Sequence, residues 1–120
     1  MSSSQSGAPS PARGEIWGVD LNPAIGHEQS GHRPVLIVSA NDLNSGPRGL
    51  VVVIPIAGTS RGLPTHIPVT PPEGGLTTAS VIMIEQVRSV SKERLGRCYG
   101  VVSRATMSQV DPILRLVLGL

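Results

Sequence analysis

Apolar residues in this chain fall into short, dense runs for most of its length and take up a helical spacing only at the end. In "EIWGVDL" Trp17, Val19 and Leu21 alternate with Ile16, Gly18 and Asp20. That period of two predicts a strand with its Trp17 face buried. "RPVLIVS" and "GLVVVIPIAG" are rich in β-branched residues and too short for ordinary helices, so they read as central strands covered on both faces. "THIPVT" carries a proline in its middle, which suits an edge strand where no ladder donor is needed. "ASVIMIEQVRSV" and "CYGVVS" are each read as one further strand, separated by the charged stretch "SKERLGR". In the closing "SRATMSQVDPILRLVLGL", Met107, Val110, Leu114 and Val117 recur at steps of three and four, behind Ser103 as a candidate cap. This predicts an amphipathic helix, which Pro112 should kink or restart with Asp111 as a new cap. About five strands, then one helix, with no strand–helix alternation, predict a mainly β fold: a small, strongly bent antiparallel barrel covered by a C-terminal α-helix.

Composition narrows the setting. The chain has 120 residues, enough for one domain with one modest core. Residues 1–12, "MSSSQSGAPSPA", hold too little apolar area to offset the entropy of ordering them, so a disordered leader is expected before a domain at 13–120. Trp17 and Tyr99 are the only aromatics, which leaves Val, Ile and Leu to build the core; Trp17 is expected in that core or in a dimer interface. A net charge of +2 suits an anionic partner without demanding one. Cys98, the only cysteine, excludes an intrachain disulfide and a cysteine cluster for zinc and is expected to be a small core residue. The pattern shows neither a membrane span nor a secretory signal, so a cytoplasmic protein without membrane contact is expected.

The candidate chemistry is concentrated in "GHEQSGHRPVLIVS", Gly26 to Ser39. Arg33 stands at the first position of a predicted strand, where the rigid sheet end would present its guanidinium. A planar, permanently charged fork there suits a phosphate and would stabilise charge developing at phosphorus; the alternative is a solvated strand-end arginine. Glu28 and Gln29 could contact bases, pair with Arg33, or simply face solvent. Histidine is the side chain whose unperturbed pKa lies closest to neutrality, which makes His27 and His32 candidate acid–base groups. Five residues apart, with no second cluster of ligands, they make no case for a metal. Half of the basic residues lie between Arg88 and Arg104, namely Arg88, Lys92, Arg94, Arg97 and Arg104, which reads either as one wall of a groove for an anionic partner or as a solvated charged turn. With so few aromatics, base stacking could not be the main means of holding a nucleic acid.

"RGEIWGVDLNPAIGHEQSGHRPVLIVS", Arg13 to Ser39, resembles the opening of MazF/PemK-type toxins, in which R-G-[ED]-[IV]-[WY] and D-L-x-P precede G-x-E-Q-x-G-x-R-P-V-L. The similarity continues through "VVVIPIAGTSRGLPTHIPV" and "VIMIEQVRSVSKERL" to the final "LGL". It implies an SH3-like barrel with a C-terminal helix, assembled as a homodimer and neutralised by a cognate antitoxin. The implied activity is metal-independent, sequence-specific cleavage of single-stranded RNA, leaving a 2′,3′-cyclic phosphate and a 5′-hydroxyl, with no cofactor. Arg33 matches the family's catalytic arginine. RNA contacts are expected from His27, Glu28, Gln29, His32, Arg61, Gln86 and Arg88. His66, in "LPTHIPV", matches a common family spelling but is read as structural.

One departure bears directly on activity. The family's third strand runs P-x-T-[ST]-x-x-[RK]-G-x-P, and its first threonine is the second catalytic residue; Pro55, Arg61, Gly62 and Pro64 match, but that threonine position holds Ala57. Thr59 and Ser60 are the candidate substitutes. Two residues along a strand is about 7 Å, so direct replacement by Thr59 needs local distortion next to Gly58. A slowed or altered nuclease is expected. Two other functions stay open: a weakened family member that only binds RNA or antitoxin, and a gyrase-poisoning toxin like a relative of this fold.

Overall fold

A computed structural model describes residues 10–29, 31–58 and 62–120, and every structural statement below concerns these. Seven strands, β1 (Glu15–Asp20), β2 (His32–Ile37), β3 (Leu50–Ala57), β4 (His66–Val69), β5 (Ser80–Met83), β6 (Arg88–Ser91) and β7 (Leu95–Val101), form one antiparallel sheet. A short helix α1 (Asn41–Asn44) follows β2, and the long helix α2 (Arg104–Leu118) ends the chain. Strand order is β4-β5-β3-β2-β1-β7, with β6 pairing β3 off this path. No pairing joins β4 to β7, so the barrel is open along those edges. As its proline predicts, β4 is an edge strand, with Pro68 exposed.

The aliphatic runs cover both faces of the central strands because side chains alternate across a strand. Ile16, Leu36, Ile54, Ile56, Ile82 and Ile84 build one cluster, which α2 closes with Val110. Val19, Leu21, Val35, Ile37, Val51, Val53 and Val90 build the other, with Trp17 and Leu95 packed against it. The first strand therefore differs from its expectation. Its Ile16 face is as buried as its Val19 face, and Trp17 is only half-buried, its indole N–H donating to Glu15 Oε1 at 3.0 Å.

The stretch expected to form a single strand at residues 79–90 is broken. Both β5 and β6 run antiparallel to β3: Ile56 faces Ile82 and Val53 faces Arg88. Between them a 3₁₀ turn at Ile84–Gln86 takes up residues that the ladder skips. Buried Ile84 anchors this turn, and its N–H donates to the Thr65 carbonyl at 3.1 Å. Such a bulge turns neighbouring side chains out of the sheet, here Glu85 and Gln86.

Cys98 is exposed rather than buried in the core. It lies on the edge strand β7 next to Tyr99, whose face packs on the first cluster, so alternation sends Cys98 outward.

In α2, the Ser103 hydroxyl caps the helix by accepting from the Thr106 N–H at 3.1 Å. Pro112 neither restarts the helix nor makes Asp111 a cap. The helix runs unbroken from Arg104 to Leu118, because Pro112 and Ser108, the residue whose carbonyl loses a donor, both face solvent. Asp111 pairs instead with Arg13 Nη2 at 2.5 Å, and Arg13 Nε donates to the Val38 carbonyl, tying the start of the sheet to the helix. Of the expected leader, residues 1–9 lie outside the described residues; Pro11 is buried and the Ala12 N–H donates to Glu15 Oε1 at 2.7 Å.

Candidate active site

The loop between β1 and β2 is held by its own polar groups. Asp20 Oδ1 accepts from the Asn22 N–H, Asn22 Oδ1 from the Gly31 N–H, and Glu28 Oε1 from the Ile25 N–H, at 3.0, 3.0 and 2.7 Å. Gly31 turns into β2 with φ +78°, a conformation that favours glycine. Arg94 braces the loop from outside, donating to the carbonyls of Asp20 and Asn22. Gln86, on the 3₁₀ turn, donates to the His27 carbonyl at 3.2 Å and so ties this loop to the bulge after β5.

These contacts frame a cavity of about 420 Å³ lined by His27, Gln29, Arg33, Ala57, Gly58, Leu63, His66, Met83, Glu85 and Gln86. Arg33 follows directly from the pairing of β2 with β3. Val35 faces Pro55 and Leu36 faces Ile54; carried two residues further, that register sets Arg33 across from Ala57 at the sheet end. Opposite stands a pair made of a buried histidine and an exposed carboxylate. His66 Nε2 lies 2.9 Å from Glu85 Oε2, and the His66 side chain is only 5% exposed. Thr65 donates its hydroxyl to Glu85 Oε1 at 2.6 Å. Burial pushes the Glu85 carboxyl up, but the hydrogen bonds from Thr65 and His66 outweigh it and hold the pKa below its ordinary value. The cavity therefore offers a guanidinium on one wall and an ionised, hydrogen-bonded carboxylate on another.

The structure sorts the expected site residues. His27, Gln29, Arg33 and Gln86 meet in this cavity. Glu28 does not join them, because its carboxylate is used within its own loop. His32 lies beyond the first cavity: it neighbours Arg33 on β2 and therefore points to the other face, where its ring and that of Tyr99 pack over Gly18. Arg88 is half-buried on β6, outside the cavity lining. Thr59, Ser60 and Arg61 lie outside the described residues. The basic stretch is neither one wall nor one solvated turn. Lys92 is buried with Nζ 2.5 Å from the Asn44 carbonyl, Arg94 braces the loop, and only Arg97 reaches a cavity that Arg33 also lines. The reading of His66 as structural missed its place in the cavity, and Glu85 was missed altogether. The pairing of residues 19 apart in sequence depends on the bulge, which no local pattern announces.

Residues 12–118 match the family described as "PemK-like, MazF-like toxin of type II toxin-antitoxin system". The chain belongs to the PemK/MazF toxin family. Among its relatives, "Endoribonuclease MazF9" of Mycobacterium tuberculosis is 37% identical over 90% of this chain and 96% of that protein. "Endoribonuclease EndoA" of Bacillus subtilis is 34% identical over 90% of this chain and 94% of its own. A solved structure, "Endoribonuclease in complex with its cognate antitoxin from Mycobacterial species", superposes with a TM-score of 0.72 at 29% identity, covering 92% of this chain and 95% of the other. The PemK/MazF resemblance read from the sequence is thus borne out along nearly the whole domain. Within that family frame, Ala57 stands in the cavity across from Arg33, where the family pattern has a hydroxyl. No helix is long and apolar enough to cross a membrane, and no cluster of three or more His, Cys, Asp or Glu among the described residues suits a metal.

Proposed function

We propose that this chain is an endoribonuclease toxin, silenced by a cognate antitoxin, that cuts single-stranded RNA at a short sequence in the cytoplasm. The observation that carries this reading is Arg33 at the sheet end, facing a cavity walled by the loop and bulge that supply His27, Gln29, Gln86 and Glu85. The endoribonuclease names of two relatives, and the antitoxin bound to a third, support it.

In this reaction the RNA supplies its own nucleophile. The 2′-oxygen attacks the adjacent phosphorus, the bond from phosphorus to the 5′-oxygen breaks, and the products are a 2′,3′-cyclic phosphate and a 5′-hydroxyl. The protein has to hold the backbone in line, neutralise the pentacoordinate oxyanions and manage two protons. Arg33 does the second of these, since its fork can donate to two phosphate oxygens at once. Gln29 and Gln86 donate and accept along the strand, and His27, at the cavity wall, is the candidate for proton transfer. Thr59 and Ser60, which follow Gly58 in the sequence, are the candidates to stand in for the hydroxyl that Ala57 lacks. Because the nucleophile is a 2′-hydroxyl, DNA of the same sequence should not be cut. A homodimer belongs to this reading; exposed Val101, Leu116, Leu118 and Leu120 supply apolar surface for it.

The test is incubation of purified protein with a long mixed-sequence RNA in EDTA, mapping new 5′-hydroxyl ends, with Arg33→Ala as control. Cuts at a recurrent short motif, lost in the variant, are expected. RNA that stays intact at high protein concentration, or cleavage that survives Arg33→Ala, overturns the proposal. Intact but tightly bound RNA would favour a binding protein, the reading to which Ala57 points.

A further inference from the structure

Arg33 also lines a second cavity, of about 350 Å³, together with Pro34, Ile56, Arg97, Tyr99 and the hydroxyl residues Thr77, Thr78 and Ser80. The two cavities lie on opposite faces of the sheet end. Ala57 lines the first and its neighbour on β3, Ile56, the second; on β2 Pro34, next to Arg33, lines the second as well. Arg33 stands where the two meet. A strand of RNA whose scissile phosphate sits on Arg33 must therefore continue past it, and the second cavity is the polar space open to it.

We infer that this second cavity is a nucleotide subsite, which receives the base on the far side of the scissile phosphate from the one held in the first cavity. This inference rests on the ribonuclease reading above. Its chemistry fits a base better than an apolar side chain. The Arg97 guanidinium lies over the Tyr99 ring, 5.0 Å from its centroid, and Arg97 is itself exposed. A planar cation backed by an aromatic ring is a platform on which bases stack. The ring is held in place from behind. Tyr99 packs against the first core cluster, and Gly75 approaches its backbone so closely that a Cβ there would lie 2.0 Å from the Tyr99 carbonyl oxygen. Thr77 and Thr78 are exposed at the rim, so their hydroxyls can donate to or accept from a base edge. A volume of 350 Å³ is at the small end of ligand sites, enough for one nucleotide and too small for several. The Arg97–Tyr99 pair thus qualifies the expectation from composition: one stacking platform exists, beside the catalytic arginine.

The test uses the full chain and short RNA oligonucleotides made uncleavable by a 2′-deoxy nucleotide at the mapped scissile step. Each carries an abasic residue at one position, and affinity is read by fluorescence anisotropy. One abasic position next to the scissile phosphate should weaken binding about 10-fold, the effect of losing one stacked base. Arg97→Gln, at an exposed position, should weaken the intact oligonucleotide by a similar factor and leave the affinity for that one abasic oligonucleotide unchanged. Equal affinities for wild type and Arg97→Gln, or equal losses on every oligonucleotide, overturn the subsite. Loss of antitoxin binding alone would also overturn it, assigning the cavity to the protein partner. If the chain cuts no RNA, the same abasic scan on a fixed mixed-sequence oligonucleotide still reads the subsite, so the two proposals fail separately.

Discussion

Replacing Glu73 by alanine should destabilise the whole domain, although Glu73 lies in a short turn outside the strands. Its Oε2 accepts from the Ser103 N–H at 2.9 Å and from the Thr106 hydroxyl, joining the turn at Glu73–Gly75 to the first turn of α2. Water can replace the acceptor at exposed Ser103, so that bond adds little. Thr106 is 6% exposed, and its hydroxyl would lose a charged acceptor, keeping only the neutral Ser103 hydroxyl at 3.1 Å. A charge-assisted hydrogen bond contributes about 1.5–3 kcal/mol, and the exposed bond adds less than about 1, giving a loss of about 2–3 kcal/mol. At about 3–5 °C per kcal/mol for a chain of this length, the melting temperature should fall by about 6–15 °C. The pH dependence has a definite sign. The hydrogen bonds from Thr106 and then Ser103 hold the Glu73 pKa below its ordinary value of 4.5. The stabilisation is therefore fully present above that value and is lost as pH falls through the lower folded value. Urea unfolding followed by fluorescence of Trp17, the single tryptophan, at pH 7 and at pH 4 and below measures both effects. A variant within about 0.5 kcal/mol of wild type at pH 7, below the range measured for such hydrogen bonds, would refute the reasoning. So would a difference that does not shrink on acidification.

Ala57→Thr places a β-branched hydroxyl residue at the end of β3 across from Arg33, and kcat/KM on RNA should rise about 100- to 1000-fold, the scale of one added transition-state donor; unchanged turnover would show that the missing hydroxyl is immaterial. Thr65→Val removes the donor to Glu85 Oε1, so the Glu85 pKa should rise towards its ordinary value in a carboxyl NMR titration. The stability that this carboxylate contributes is present above its ordinary value and lost on acidification through the folded one, a loss the variant should show at higher pH; a Glu85 titration that does not move contradicts the assignment. Gly75→Ala should cost well over the roughly 1 kcal/mol of Gly31→Ala, because both glycines have positive φ but only the Gly75 Cβ would strike backbone, whereas nothing lies within 4 Å at Gly31. Equal shifts in thermal melts would count against the steric account.

Much of this protein could be read from local pattern. Alternation and β-branching located β1, β2 and β3, the central proline placed β4 at an edge, and the three-to-four spacing behind Ser103 located α2, because these signals act within a few residues. The loop pattern likewise singled out Arg33, whose position follows from the strand it begins. Tertiary structure decided what depends on pairing across the chain. A register break against β3 looped out Ile84–Gln86 and brought Glu85 to His66, which are too far apart in sequence for any periodicity to connect. Packing also settled the basic stretch, burying Lys92 under α1, directing Arg94 to the loop and laying Arg97 on Tyr99. Charge along a sequence records how many cations there are. Where each one points is determined by the strand edge, turn or neighbour it meets when the sheet closes around its core.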